Sequence, residues 1–223
     1  MAIRQVNLAE LKQHLADTPQ PRRIDEVILH HTWKPTAAQY AGPSTWKGVR
    51  RYHMNERGWS DIGYHIGVGP DDSIWLLRPI ERSGAHCLNH NAHSIGVVMI
   101  GNFDEEDPWE NGAQMAAEAV AAICKRYELS SDDVRFHREF ANKTCPGNCM
   151  PLYSFRAEVD SAMNSASPLK IVLRPGSKVI DCRPRIEDGV TRCDLRALAE
   201  ALGYEVYDHI SDENKIYVRN KGR

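Results

Sequence analysis

Two groups of residues in the sequence carry side chains that commonly bind zinc. His30 and His31 end the apolar segment VILHH, and His137 and Cys145 begin and end the loop HREFANKTC. Catalytic zinc sites usually have three protein ligands and leave the fourth position to water, so these residues are candidates for a zinc hydrolase. Their spacing matches neither HExxH nor a zinc finger, and spacing alone leaves open whether they are ligands or ordinary polar residues.

Lys143 lies two positions before Cys145, and the pair Pro146-Gly147 predicts a turn directly after that cysteine. A lysine beside a metal could stabilise the negative charge that develops on a substrate carbonyl oxygen. Because a lysine in a loop is more often only solvated, this interpretation depends on the rest of the site.

The elements that must position these residues follow from the hydrophobic pattern. Apolar runs and alternating patterns predict strands at 25–32, 62–68, 73–78, 94–101 and 134–136. Helical spacing of apolar residues predicts helices at 6–17, with Asn7 as the N-cap, at 44–57 and at 113–127. Strands interleaved with helices predict an α/β domain in which helices flank a central sheet.

The composition changes near residues 160–168, where DSAMNSASP predicts a linker that ends in a proline. We therefore expect a catalytic domain at 1–160 and a small accessory α+β domain at 168–223. Strand-like segments in the second domain surround a helix predicted at 193–202.

Composition and charge argue against several classes of protein. The 223 residues are 42% hydrophobic and 26% charged, which is typical of a globular protein. A net charge of −2 does not favour nucleic acid as a partner. The sequence contains no apolar run of about 18 residues, so we do not expect insertion into a membrane. Because the first residues show no secretory signal, we expect synthesis in the cytoplasm. The six scattered cysteines do not form a disulfide framework.

Four segments resemble, in order, the motifs of the type-2 N-acetylmuramoyl-L-alanine amidases, a family that includes animal peptidoglycan recognition proteins and phage amidases. These segments are VILHHT, GWSDIGYHI, GAHCLNHNAHSIGVVMIGNF and FHREFANKTCPG, and with their surroundings they span about 25–155. The resemblance implies a central mixed β-sheet flanked by helices. It also implies that zinc-activated water hydrolyses the amide bond between N-acetylmuramic acid and L-alanine in peptidoglycan, the expected partner.

The resemblance further implies three zinc ligands: His31, His137 and Cys145. We expect His31 rather than His30, because the family ligand directly precedes a small polar residue, which here is Thr32. Cys149 lies close to Cys145, but the CPG turn of the family follows Cys145.

Tyr64 and Lys143 match active-site positions of the family, which implies that both stabilise the oxyanion and that Tyr64 helps to protonate the leaving nitrogen. Arg78, His86 and Asn91 fall where family members line the substrate groove. Trp59, in a loop flanked by glycine, could stack on a sugar ring.

The C-terminal segment resembles the small module named after the N-terminal region of copper amine oxidases, although Cys193-Asp194 replaces the usual Val-Pro. Wall targeting and self-association both remain open as its role. For the whole chain we expect an endolysin-like or autolysin-like enzyme, released by a holin. The alternatives are a cytosolic amidase that recycles muropeptides and a non-catalytic peptidoglycan receptor. Such receptors generally lack the cysteine ligand.

Overall fold

The structure is a computed structural model that describes residues 3–19 and 22–164 and, beyond these, six short strands. The chain divides into two compact units, Met1–Met163 and Asn164–Arg223. None of the helices that the structure describes is long and apolar enough to cross a membrane.

A mixed six-stranded sheet forms the centre of the first unit, with the strand order β1-β4-β3-β5-β2-β6. Its strands are β1 (Arg4–Val6), β2 (Glu26–His31), β3 (Ile66–Val68), β4 (Ile74–Leu76), β5 (Ser94–Met99) and β6 (Val134–Phe136). The four strands β3, β5, β2 and β6 are parallel, and β4 runs antiparallel between β1 and β3. The predicted sheet is thus confirmed as mixed, with its parallel part buried.

Four helices cover the sheet: α1 (Leu8–Asp17), α2 (Pro43–Asn55), α3 (Ala113–Tyr127) and α4 (Leu152–Asn164). The larger core joins apolar residues of α1, α3 and α4 to alternate residues of the strands, such as Val27 and Leu29. The smaller core joins Trp46 of α2 to Trp75 and Val98. Because successive strand residues face opposite sides, these two cores lie on the two faces of the sheet.

Most predicted elements of the first unit are confirmed, several with the expected bounds. The helix 113–127 and the strand 134–136 agree with the prediction, and Asn7 caps α1 through a reciprocal capping box with Glu10. The short β1 and the helix α4 are not predicted by the sequence pattern. Helix α4 continues to Asn164, so the linker predicted to begin at 160 is wrong at its start. Ala162 and Met163 explain this, because both pack against the larger core beyond position 160.

The second unit is described by strands only: β7 (Leu169–Leu173), β8 (Lys178–Cys182), β9 (Arg185–Glu187), β10 (Val190–Arg192), β11 (Tyr204–Val206) and β12 (Val218–Asn220). They pair antiparallel as β7 with β8, β9 with β10, and β11 with β12. The helix predicted at 193–202 lies outside the described residues.

Candidate metal centre

Two histidines and one cysteine converge at the carboxyl end of β2 and β6. Ligand atoms of His30, His137 and Cys145 all lie within 4.8 Å of one another. The Cys145 Sγ is 3.7 Å from Nδ1 of His30, and the ring centroids of His30 and His137 are 4.6 Å apart. His30 and Cys145 are buried, whereas His137 is half-buried. The cluster therefore has one side that solvent can reach.

The register of two parallel strands brings the two histidines together. Leu29 of β2 lies opposite Phe136 of β6, so the next residue of each chain segment, His30 and His137, is also adjacent. Parallel strands end at the same edge of a sheet, where the side chains that follow them can meet. A contact between residues more than a hundred positions apart thus follows from one strand pairing.

The structure does not bring His31 into this cluster, although the family resemblance favours it as the first ligand. Successive side chains of a strand point to opposite faces, so His31 shares a face with Leu29. Its Nδ1 accepts a hydrogen bond from the backbone N–H of Phe103 at 3.2 Å, and the two rings are 6.1 Å apart. The cluster thus contains His30 at the place for which the family resemblance favours His31.

The loop that carries Cys145 is held by Arg138. The Arg138 guanidinium donates to the carbonyl oxygens of Gly147 and Met150, both at 2.7 Å, and its backbone N–H donates to the Cys145 carbonyl at 2.8 Å. Gly147 has a φ of 115° and packs against the backbone of Phe103, so a side chain there would be both strained and obstructed. These contacts fix the position of the thiol, and the sequence motifs do not single out Arg138.

Burial sets the protonation of the three candidate ligands. Burial, reinforced by neighbouring His86, holds the pKa of His30 well below its ordinary value, and burial lowers the pKa of His137 to about 4. Burial also raises the pKa of Cys145 to about 12. Two neutral imidazoles are ready to bind a cation, whereas the thiolate needs a positive charge beside it to form. This donor set suits a divalent metal.

Tyr64 lies directly beside the cluster. Its ring centroid is 5.1 Å from that of His30 and 5.5 Å from that of His53. Its carbonyl accepts a hydrogen bond from the Arg78 backbone N–H at 3.1 Å, which fixes it just before β3. Burial and, to a smaller extent, the proximity of Cys145 raise the pKa of Tyr64. The phenol therefore stays protonated and can donate a hydrogen bond.

Lys143 is exposed on the loop between His137 and Cys145, where its backbone N–H donates to the Ala141 carbonyl at 2.8 Å. Its charge contributes to the low pKa of His30 and His137 and opposes the raised pKa of Cys145. The structure thus brings the two predicted catalytic residues, Tyr64 and Lys143, to the same cluster.

Two of the predicted substrate-binding residues extend the site away from the cluster. The Trp59 ring is half-buried, and its centroid lies 4.6 Å from that of His53, whose ring also lies beside Tyr64. Arg78 is buried and donates from Nη2 to the Ser60 hydroxyl at 3.0 Å. Among the described residues, its Nε and Nη1 have no hydrogen-bond partner. Arg78 therefore retains unused donors in the neighbourhood of Tyr64.

The other two predicted substrate-binding residues lie behind His30. His86 is buried, with Nδ1 3.1 Å from Nε2 of His30 and Nε2 3.4 Å from the Ser94 hydroxyl. The side-chain oxygen of Asn91 accepts hydrogen bonds from the backbone N–H groups of His86 and Cys87 at 2.8 and 3.0 Å. These contacts give both residues a positioning role: His86 orients His30, and Asn91 fixes the loop that carries His86.

Arg138 offers a test of how strongly the loop holds the cysteine. We expect Arg138→Ala to weaken metal binding about 10- to 100-fold, as for other residues that orient ligands from outside the metal's own shell. The carbonyl groups of Thr144, Gly147 and Met150 lose their guanidinium donor in this variant. Competition with a chelator measures the affinity. Arg23→Ala, which removes an exposed arginine paired with Asp25, is the control and should bind metal like the wild type. Equal metal affinity in Arg138→Ala and Arg23→Ala would contradict this role of Arg138 in holding the Cys145 loop.

Fold and site together define a class of protein: an α/β domain with a His-His-Cys cluster at the carboxyl end of two parallel strands. Residues 20–148, more than half of the chain, match the family model described as N-acetylmuramoyl-L-alanine amidase. The chain belongs to the N-acetylmuramoyl-L-alanine amidase family.

Individual proteins show the same relationship. Peptidoglycan-recognition protein LB of Drosophila melanogaster is 35% identical over 125 residues, which are 54% of this chain and 53% of that protein. The chain thus spans about half the length of this curated relative. A mutant of Drosophila PGRP-LB in complex with tracheal cytotoxin has a similar structure, with a TM-score of 0.52, 29% identity and coverage of 63% and 82% of the two chains. The endolysin N-acetylmuramoyl-L-alanine amidase LysCS of Clostridium intestinale has a TM-score of 0.53 at 27% identity, with coverage of 64% and 89%.

Proposed function

We propose that this chain is a zinc-dependent amidase that hydrolyses the bond between N-acetylmuramic acid and L-alanine in peptidoglycan. The observation that carries the proposal is the cluster of His30, His137 and Cys145 with Tyr64 beside it, in a chain of the amidase family. The name of the Drosophila relative and the tracheal cytotoxin bound by PGRP-LB support peptidoglycan as the substrate. The likeness to an endolysin amidase supports lysis of the cell wall as the setting.

Zinc fits the three side chains. Zn–S and Zn–N bonds of about 2.3 and 2.0 Å in a tetrahedral site separate sulfur from nitrogen by about 3.5 Å. The distance between Sγ of Cys145 and Nδ1 of His30 is 3.7 Å. His30, His137 and Cys145 would therefore hold the ion and leave one position open on the half-buried side of His137. Bound there, zinc would lower the pKa of a water molecule toward about 7 and polarise the substrate carbonyl.

His86 keeps His30 in the tautomer that a metal requires. When Nδ1 of His30 is the ligand atom, its Nε2 carries the proton and donates to Nδ1 of His86, 3.1 Å away. The Nε2–H of His86 then points to the Ser94 hydroxyl, which in turn donates to the His90 carbonyl at 2.7 Å. Each donor in this chain faces an acceptor, so the His30 ring is held in both orientation and protonation.

Tyr64 and Lys143 act on the substrate. The Tyr64 hydroxyl donates a hydrogen bond to the oxygen that becomes negative when the amide carbonyl is attacked. It also relays to the departing L-alanine nitrogen the proton that the attacking water gives up, so the phenol ends the step protonated. Lys143 adds a positive charge near the same oxygen. An amide is a poor electrophile with a poor leaving group, so both stabilisation of the oxyanion and protonation of the nitrogen lower the barrier.

Mass spectrometry of the products from purified cell walls tests the reaction. We expect stem peptides with a free amino group on L-alanine and glycan strands without new reducing ends. The Cys145→Ser variant should release no stem peptides, although it keeps the shape of the side chain. New reducing ends or cuts within the peptide would indicate a different hydrolase. Wall binding without any cleavage would instead support a receptor, the second function that the sequence leaves open.

The second unit is proposed to be an accessory domain that tethers the enzyme to the wall. We expect residues 1–164 to fold and to cleave small soluble muropeptides nearly as well as the full chain, but to lyse insoluble walls more slowly, because tethering raises the effective substrate concentration. Ending at 164 keeps Ala162 and Met163, which pack against the core. Thermal melting and soluble-substrate turnover are the measurements. A large drop in both would show that the second unit is structural instead.

A further inference from the structure

A second group of metal-binding side chains lies at the opposite end of β2. Within the described residues, Glu26, His90 and His93 present one ligand atom each, and these atoms lie within 4.8 Å of one another. Glu26 begins β2, four residues before His30, which places the group about 13 Å along the strand from the His30 cluster. The two groups share no ligand and lie too far apart to bind one ion together.

One carboxylate oxygen organises the group. Oε1 of Glu26 is 2.6 Å from Nδ1 of His90 and 3.5 Å from Nδ1 of His93. The His93 Nδ1 is inaccessible to solvent and has no hydrogen-bond partner among the described residues. A buried ring nitrogen without a partner is costly, and it is aimed at a carboxylate that already contacts another imidazole. A cation between the three atoms would satisfy all of them.

The local backbone explains why both histidines face Glu26. The segment HNAH forms a turn in which the His93 N–H donates to the His90 carbonyl at 3.2 Å, so the two rings lie on the same side. The Phe140 ring lies against His90 with a centroid distance of 3.8 Å. Ser94, the next residue, pairs with Glu26 across the parallel strands β2 and β5. The group is therefore held by sheet pairing and a turn.

We propose that Glu26, His90 and His93 form a second metal site that binds Zn²⁺ or a divalent ion of similar chemistry. Two imidazoles and one carboxylate are typical zinc ligands, and water completes the coordination. The separation of 3.5 Å between Glu26 Oε1 and His93 Nδ1 suits a tetrahedral ion, which needs about 3.3 Å between oxygen and nitrogen ligands. Binding replaces the hydrogen bond between Glu26 and His90 with two metal bonds.

An ion at this site also acts on the His30 cluster, because the same loop carries His86. The loop 84–93 supplies both His90 and His93, and His86 lies four residues before His90. Ser94 links the two regions, since its hydroxyl contacts both His86 and the His90 carbonyl. Metal bonds from the loop to β2 therefore fix the segment that orients His30.

Metal-binding stoichiometry of the full chain tests the proposal. Protein stripped by a chelator is titrated with Zn²⁺, and Co²⁺ serves as a spectroscopic substitute. We expect His93→Gln and Cys145→Ser each to bind one equivalent fewer than the wild type, and the double variant two fewer. In the cobalt form, the near-ultraviolet charge-transfer band from the thiolate should vanish in Cys145→Ser and persist in His93→Gln. His14→Gln, which changes a half-buried histidine of α1, should match the wild type.

Stability gives an independent measurement. Addition of zinc should raise the melting temperature of Cys145→Ser, in which only the second site remains, and should leave Cys145→Ser/His93→Gln unchanged. Glu26→Gln, which keeps the shape of the side chain but removes its charge, should behave like His93→Gln. Equal stoichiometry in the wild type and His93→Gln would overturn the second site and leave the proposed amidase unaffected. The second site would likewise be overturned if Cys145→Ser lost zinc and His93→Gln kept the full wild-type amount.

Discussion

We expect His30→Gln to lose zinc and to fall to background activity on purified walls, whereas His31→Asn keeps its zinc. The two substitutions are chosen to keep each histidine's other contact. The glutamine amide reaches the Nε2 position of His30, so the hydrogen bond to His86 is preserved while the ligand atom Nδ1 is lost. The asparagine oxygen takes the Nδ1 position of His31 and can still accept from the Phe103 N–H.

Metal analysis after dialysis and turnover on purified walls measure this difference. Melting temperatures of the metal-free proteins serve as the control, because both positions are buried and any loss of packing would appear there. Loss of zinc in His31→Asn with retention in His30→Gln would restore the ligand that the family resemblance favours and would contradict the geometry of the cluster. Loss in both, with equal melting temperatures, would mean that His31 orients the site indirectly.

The choice between the two histidines lies beyond what the sequence pattern contains. All six residues of β2 are buried, because a central parallel strand is covered on both faces, and so apolar alternation does not mark one face as the site. The deciding fact is the pairing of Leu29 with Phe136, which places His30 beside His137. Strand pairing over such a separation depends on the whole sheet rather than on local residues.

The fold of the first unit was much more accessible to prediction. Long periodic segments such as the alanine-rich helix 113–127 carry their own signal, because helical propensity and apolar spacing agree there. The strand Arg4–Val6 has too few residues for a pattern and forms by pairing with β4 at the sheet edge. Helix α4 carries only Phe155 and Val159 as fully buried residues, and serines and charged residues around them hide its periodicity.

The residues that position the site carry the weakest signal in the sequence. His86 matches a motif of the family, but its contact with His30 depends on the path of the loop 84–93 across the sheet. Arg138 follows a candidate ligand, and nothing in its neighbours separates it from an ordinary surface arginine. Its role follows from three carbonyl oxygens that converge on it only after the CPG turn has folded.

We expect Tyr64→Phe to retain zinc and fold but to lose turnover by roughly 10²- to 10³-fold, the usual cost of removing one donor to an oxyanion. The substitution deletes only the hydroxyl, and the ring keeps its contacts with His30 and His53. The loss should appear in kcat rather than in KM, because the hydrogen bond strengthens only as charge develops in the transition state. Tyr52→Phe, at an exposed tyrosine of α2, is the matched control and should be fully active.

Variants of Lys143 distinguish the electrostatic contribution of this lysine from the hydrogen bond that Tyr64 donates at the same site. Because the side chain is exposed and partly screened by solvent, Lys143→Ala should cost less than Tyr64→Phe, about 10-fold. Lys143→Arg should recover most of the loss, since it restores the charge. A rise in ionic strength should reduce the difference in turnover between Lys143→Ala and the wild type and leave the Tyr64→Phe defect unchanged.

If Tyr64→Phe and Lys143→Ala both retain zinc and turn over walls at the wild-type rate, neither residue stabilises the oxyanion. The catalytic power would then have to come from the metal centre and from substrate positioning by groups such as Arg78.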